Sequence, residues 1–266
     1  TGPKSMALKF AANLSFLYQE LPFLDRFAAA ARDGFQGVEY LFPYDFDPAE
    51  IRNHLERNNL EQVLFNVRAG DFAKGERGLA SLTGREAEFQ ATVDQAIDYA
   101  NALGCKRLHV MAGIRDNTIT HDTQLAVYRH NLRIAATAAE AAGIIILIEP
   151  INNKDMPGYF LESASMAAAL IEEINHSAIR LQFDIYHVQK TDGDIIRQFT
   201  KFAPLIHHIQ IANPPNRSEP NNGEINYPYI FDFLESEGYD GWIGCEYAPS
   251  AGTTETLGWA RKYLGR

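Results

Sequence analysis

Ile144-Ile145-Ile146-Leu147-Ile148-Glu149-Pro150 is a run of β-branched and aliphatic residues that stops on a carboxylate. Three further segments share that shape: Ile179-Arg180-Leu181-Gln182-Phe183-Asp184, His207-His208-Ile209-Gln210 and Gly241-Trp242-Ile243-Gly244-Cys245-Glu246. A strand buried inside a parallel sheet has no use for a charge, but its C-terminal end opens on the face where such sheets bind ligands. Four such ends converging would make an oxygen-rich pocket for a divalent cation.

Working outward from these segments, strand-like runs fall at Leu8–Leu14, Gly37–Leu41, Gln62–Asn66, Arg107–Met111, Ile144–Glu149, Ile179–Asp184, His207–Ile211 and Trp242–Glu246. Helical patterns lie near Leu21–Arg32, Pro48–Asn58, Arg85–Leu103, Thr123–Ala142, Ser163–Ile174, Asp194–Phe202, Tyr227–Glu237 and Thr254–Tyr263. Gly34, Gly104, Gly143 and Gly238 stand where a left-handed residue ends a helix, and Ser163 and Asp47-Pro48 where one starts. An uninterrupted βα alternation of this length predicts an α/β protein, a single-domain (β/α)8 TIM barrel over residues 6–266. Thr1–Ser5, ahead of Met6, read as a remnant of expression. No GxGxxG follows a strand, which disfavours a doubly wound nucleotide-binding fold.

The 266 residues carry a formal net charge of −10, which opposes nucleic acid as a partner because counterion release needs clustered Lys and Arg. An anionic substrate must then be held by local cations or a metal. Two cysteines, Cys105 and Cys245, are too few for a disulfide framework or a thiolate metal site, and a reducing cytoplasm is the expected location. Parity aims Cys245 at the helical layer if Glu246 faces inward. No stretch approaches the roughly 20 apolar residues of a membrane span, so no membrane partner is expected. A homo-oligomer is compatible with the sequence.

Glu149, Asp184, Gln210 and Glu246 form a hard-oxygen set suited to one Mg²⁺ or Mn²⁺. A lone carboxylate at a strand end also caps helices or pairs with Arg. His187, just past the sixth strand, either orients substrate or Asp184 or bonds backbone. His208 shares the parity of Gln210 one layer lower, as a core or supporting residue, and His109 is similar. Arg217, in the irregular stretch 212–226, offers a bidentate fork to a carboxylate. The stretch 67–84, with four glycines, is long for a barrel loop and lies on the catalytic face. Its Arg68, Lys74, Arg77 and Arg85 are read as solvated or paired. Asn13 and Asn66 bond substrate or cap the core; Phe10, Phe16, Phe42 and Tyr44 lie nearer the open face, and Trp242 fills the barrel floor.

Phe10–Ser15, Gly37–Tyr44, Gly75–Leu79 with Gly84–Glu86, Ile148–Asn152, Asp184–His187, Gly223–Tyr227 and Gly241–Tyr247 together resemble the hydroxypyruvate isomerase family, whose xylose-isomerase-like barrels include the 2-oxo-tetronate isomerases. The resemblance implies that Glu149, Asp184, Gln210 and Glu246 are metal ligands. It also implies that Glu149 and Glu246 transfer protons and that His187 and Arg217 contact a small anionic sugar-acid substrate. Gln210 departs from the His usual in the wider group, and Phe65 precedes Asn66 where some members are expected to carry His. The implied activity is a metal-dependent aldose–ketose isomerisation of hydroxypyruvate to 2-hydroxy-3-oxopropanoate through an enediolate. Alternatives are a 2-oxo-tetronate or related sugar-acid or ketose isomerase or epimerase, a non-catalytic sugar-acid binder, and an apurinic endonuclease. The last would need a His-rich zinc cluster and a basic groove, and the sequence offers neither.

Overall fold

The computed structural model describes residues 7–265, so the segment read as an expression remnant lies outside the described residues. Within them the chain closes a parallel barrel in sequential strand order. The strands are β1 (Lys9–Asn13), β2 (Gly37–Glu39), β3 (Glu61–Asn66), β4 (Arg107–His109), β5 (Ile145–Ile148), β6 (Ile179–Asp184), β7 (Ile206–Ile211) and β8 (Trp242–Cys245). β8 pairs with β1, with Phe10 opposite Ile243. Outside them run α1 (Arg26–Arg32), α2 (Pro48–Arg57), α3 (Glu86–Leu103), α4 (His121–Ala141), α5 (Ala164–Ile174), α6 (Ile185–Thr191), α7 (Ile195–Phe202), α8 (Tyr227–Ser236) and α9 (Arg261–Leu264).

The expected start and stop signals operate. Asp47 and Ser163 accept from the backbone amides of Ala49 and Met166, and Gly104 ends α3 in a left-handed conformation. α6 was not expected. Its N-cap is Asp184, whose Oδ1 accepts from the amides of Tyr186 at 2.9 Å and His187 at 3.3 Å. A short helix directly after a strand leaves no periodicity to read. The last expected helix divides into a 3-10 segment, Thr254–Ala260, and α9.

Alternation along each strand sorts the core into two layers. Trp242 fills the barrel floor with Ala11, Val63, Leu64 and Leu147, while Cys245 and Phe10 join the larger core under the helices. Phe10 packs edge-on against Phe231 and Trp259 rather than on the open face, as the parity opposite to Asn13 requires. Phe65, likewise, is enclosed by Tyr40 and Tyr44 and does not face the barrel mouth. Its departure from the family pattern is therefore a matter of packing.

The long stretch after β3 is tied down at Gly78. This residue bridges Ala112 beyond β4 and has a φ of +121°. A Cβ there would stand 2.3 Å from the Met111 carbonyl oxygen, so both conformation and space demand glycine. Gly78→Ala is expected to cost about 1–3 kcal/mol, the usual penalty for a forced backbone conformation. It should appear as a fall of several degrees in Tm; an unchanged Tm would show that the stretch is not anchored here.

Candidate functional site

Strand geometry brings the polar strand ends to one face. Glu149 follows β5, Asp184 ends β6, Gln210 lies in β7 and Glu246 follows β8, all buried. Carboxylate oxygens of Glu149 and Asp184 and a ring nitrogen of His187 lie within 4.8 Å of one another, a buried triad able to hold a metal ion. Asp184 uses Oδ1 as the cap of α6 and keeps Oδ2 toward the site. Capping and site duty thus fall on one side chain. Glu149 Oε2 finds no hydrogen-bond partner among the described residues.

Glu246 is the better-served carboxylate. Arg217 Nη2 donates to its Oε1 at 2.8 Å, while Asn13 Nδ2 and Gln210 Nε2 donate to Oε2 at 3.1 and 3.0 Å. The Arg217 nitrogen also lies 3.9 Å from Asp184 Oδ2. The guanidinium sits 4.9 Å from the Phe16 ring centre and 4.8 Å from that of Tyr186, which fix its plane, and its Nε has no hydrogen-bond partner among the described residues. Gln210 turns its amide nitrogen to Glu39 Oε2, at 2.7 Å, and accepts at its oxygen from Gln182 Nε2 at 2.6 Å.

His187 is held in one tautomer. The Asn152 amide oxygen accepts from the Asp155 backbone, which turns the Asn152 NH2 toward His187 Nδ1 at 2.8 Å. Nδ1 is then an acceptor, and Nε2 carries the proton 3.7 Å from Asp184 Oδ2. Burial, partly offset by the Asp184 charge, pushes His187 down to about 4. His109, given no role from sequence, brings Nε2 to 3.9 Å from Glu149 Oε1 and is pushed down by burial to about 3.

Asn152, Asp155, Glu39 and His109 are site residues that sequence reasoning missed, Asp155 lining the cavity with no motif to mark it. Glu39 and Asn152 stood out only as members of the stretches that carry the family resemblance. His109 closes its strand with the same parity as the expected ligands, which was the available signal.

A cavity of about 170 Å³ opens above these groups, lined by Glu149, Glu246, His187, Arg217, Asn66 and His109, with Phe16, Leu41, Phe72, Met111, Ile151 and Met156 as apolar wall. From the long stretch only Phe72 reaches it. Lys74 pairs with Asp71 and Arg85 with Glu76 and Glu88, while Arg68 bonds Gln95 and Arg77 lies over Phe72. Among the described residues no helix is long and apolar enough to cross a membrane.

With this geometry in view, the chain matches the family model described as the xylose isomerase-like TIM barrel over residues 27–263. It is 52% identical to the 2-oxo-tetronate isomerase of Cupriavidus necator, across 97% of this chain and 99% of that one. It is 44% identical to the hydroxypyruvate isomerase of Escherichia coli, across 96% and 99%. The crystal structure of a protein from Brucella melitensis, named AP endonuclease, family 2, superposes with a TM-score of 0.94 at 47% identity, covering 97% of this chain and 99% of that one. The chain belongs to the xylose isomerase-like TIM barrel family. Within that family it is an isomerase, of the group to which the hydroxypyruvate and 2-oxo-tetronate isomerases belong.

Burial pushes Glu149 well up, and the neighbouring Asp184 and Glu246 charges add to it. Burial also raises Glu246, against the pull of Arg217, and takes Glu39 to about 8. Raised carboxylates bind protons better folded than unfolded, so their stability contribution is present below about 4.5 and lost as pH rises toward 8. The lowered histidines act oppositely: their contribution is complete above 6.5 and lost as pH falls toward about 4 and below. The windows overlap in acid, but above 6.5 only the carboxylates titrate. The cation-free protein is therefore expected to lose Tm between pH 6.5 and 8, with a shallower fall in Glu246→Gln. A Tm that stays level or rises across that window would contradict the raised carboxylates.

Proposed function

We propose that this chain catalyses a metal-dependent aldose–ketose isomerisation of a small hydroxy-oxo acid, with hydroxypyruvate to 2-hydroxy-3-oxopropanoate as the first reading. The observation that carries it is the meeting of buried Glu149 and Glu246 with the Arg217 guanidinium at one cavity, with Asp184 Oδ2 3.9 Å from that guanidinium just behind the lining. A four-carbon 2-oxo-tetronate is the second reading, favoured by the name of the 52% identical relative. An endonuclease reading, raised by the name of the Brucella melitensis protein, is disfavoured by the charge of −10 and by a donor set dominated by carboxylates.

Glu149, Asp184, Gln210 and Glu246 are the residues that would hold one divalent cation, Mg²⁺ or Mn²⁺. Two features favour the fit: the Glu149 oxygen without a partner among the described residues, and the buried Asp184 charge, which crowds Glu149 and Glu246 and raises their proton affinity. When bound, such a cation supplies Lewis-acid polarisation of the substrate carbonyl and stabilises negative charge on its oxygens.

The chain's own residues do the rest. Arg217 binds the substrate carboxylate, its ring contacts holding the fork in plane and its Nε offering a donor. His187 donates from Nε2, and with Asn66 orients the substrate oxygens. Of Glu149 and Glu246, on strands three apart around the ring, one takes the carbon-bound proton and the other delivers a proton to the adjacent carbon from the opposite side, through an enediolate, while the hydroxyl proton passes to the former carbonyl oxygen. The apolar wall of Phe16, Leu41, Phe72 and Met156 limits water around the exposed intermediate.

The deciding experiment is turnover of three- to six-carbon oxo acids and ketoses with Mg²⁺ or Mn²⁺ in D₂O. Isomerisation should place deuterium on carbon, and Glu149→Gln and Glu246→Gln should each lower kcat by at least about 10²-fold. Full-rate product without deuterium at carbon would exclude proton transfer by these two groups. Arg217→Lys, which loses the planar fork, should raise KM for the oxo acid more than about tenfold. An unchanged KM would place the anion elsewhere.

A further inference from the structure

Glu39 closes β2 with its carboxylate inside the barrel, 1% exposed and absent from the cavity lining. Its Oε2 accepts from Gln210 Nε2, while Oε1 has no hydrogen-bond partner among the described residues. The carboxylate crosses over β1 into the space beside Gly244 of β8. A Cβ at residue 244 would stand 1.3 Å from Glu39 Oε1, so glycine alone admits it. Gly244 is also the register partner of Gln210, which sets the open slot directly beside the amide. One layer lower, His208 brings Nε2 to 3.5 Å from Glu39 Oε2.

A buried carboxylate with an unpaired oxygen costs stability, and an apolar residue at 39 facing alanine at 244 would pack the same space more cheaply. The arrangement therefore calls for a role other than packing. Glu39 is linked to the cavity residue Glu246 through Gln210, which bonds both carboxylates by Nε2, and through Asn13, which also interacts with both. An amide can hold a cation only by its oxygen, since its NH2 group has no lone pair to offer. Ionised, Glu39 only accepts, and with a proton on its outer Oε1 it still accepts at Oε2, so in either state it captures the NH2 end and leaves the oxygen as the end free to change partners. That oxygen now accepts from Gln182, a neutral donor that a divalent cation would outcompete.

We propose that Glu39 is a positioning residue for Gln210: by holding the amide nitrogen it selects the orientation in which the oxygen serves a cation, and Gly244 provides the space in which it does so. The inference rests on the reading of Gln210 as a cation ligand. It extends to an amide the rule that metal-binding side chains are oriented by a carboxylate behind them.

The test is titration of Mn²⁺ by calorimetry into the cation-free parent, Glu39→Gln and the double variant Glu39→Ala/Gly244→Ala, in which the new methyl fills the vacated slot. The cation-free Tm is measured for each. The double variant is expected to keep or exceed the parent Tm while binding Mn²⁺ at least about tenfold more weakly. Glu39→Gln retains an acceptor oxygen and should recover part of that loss. Binding within threefold of the parent in the double variant would overturn the role. So would a Tm that falls in step with affinity in both variants, which would mark Glu39 as merely structural. If the parent itself takes up no Mn²⁺, the cation reading falls and this inference with it; if the parent binds and the variants bind equally well, only the role of Glu39 falls.

Discussion

Like charge buried at the mouth of a closed barrel is the constraint on which the site depends. Three carboxylates stand out of water at the ends of β5, β6 and β8, and the Asp184 charge makes ionisation of Glu149 and of Glu246 harder. Parallel strands deliver them there without choice, because every C-terminal end opens on the same face. The closed strand order then removes any way for the groups to move apart. What remains is to answer the charge with a guanidinium, with amide donors or with a cation. Arg217, Asn13 and Gln210 supply the first two on Glu246, and Glu149 has no comparable set.

The supporting residues follow from the same constraint. Asp184 spends one oxygen on the amides that open α6 and so holds the other toward the site. Asn152 gives His187 a single tautomer. Glu39 reaches its place because Gly244 leaves one side chain out of the barrel interior. Each device orients a polar group out of reach of solvent; Asp184 and Asn152 lie one contact behind the cavity and Glu39 two.

Relatives at 52% and 44% identity share almost the full length of the chain, so the barrel and the class of chemistry travel together in this group. The cavity above the carboxylates is small and its wall apolar on the side of Phe72 and Met156. In the proposed reaction that wall would set the chain length of the substrate, since the polar groups beneath it serve a three-carbon and a four-carbon acid alike.

The order of the strands and of the helices other than α6, the inward parity of Glu149, Asp184, Gln210 and Glu246, the outward parity of Cys245 and the floor position of Trp242 were legible in sequence. Alternation along a strand is a local rule, and a parallel barrel repeats it eight times in one sense. The same rule, carried through consistently, would have turned Phe10 toward the helices and Phe65 away from the cavity. What periodicity could not carry was pairing across the ring. That Arg217 meets Glu246 and that His109 faces Glu149 depend on the register of neighbouring strands, and that Glu39 passes over β1 to Gly244 depends on closure of the ring between β1 and β8. The seven-residue α6 lay below the length at which a helical period shows, and only the Asp184 cap announces it. Sequence by itself determined which residues line the inside of the barrel; tertiary structure decided which of them touch, because contact across a closed barrel depends on strand order and register and not on neighbours in the chain.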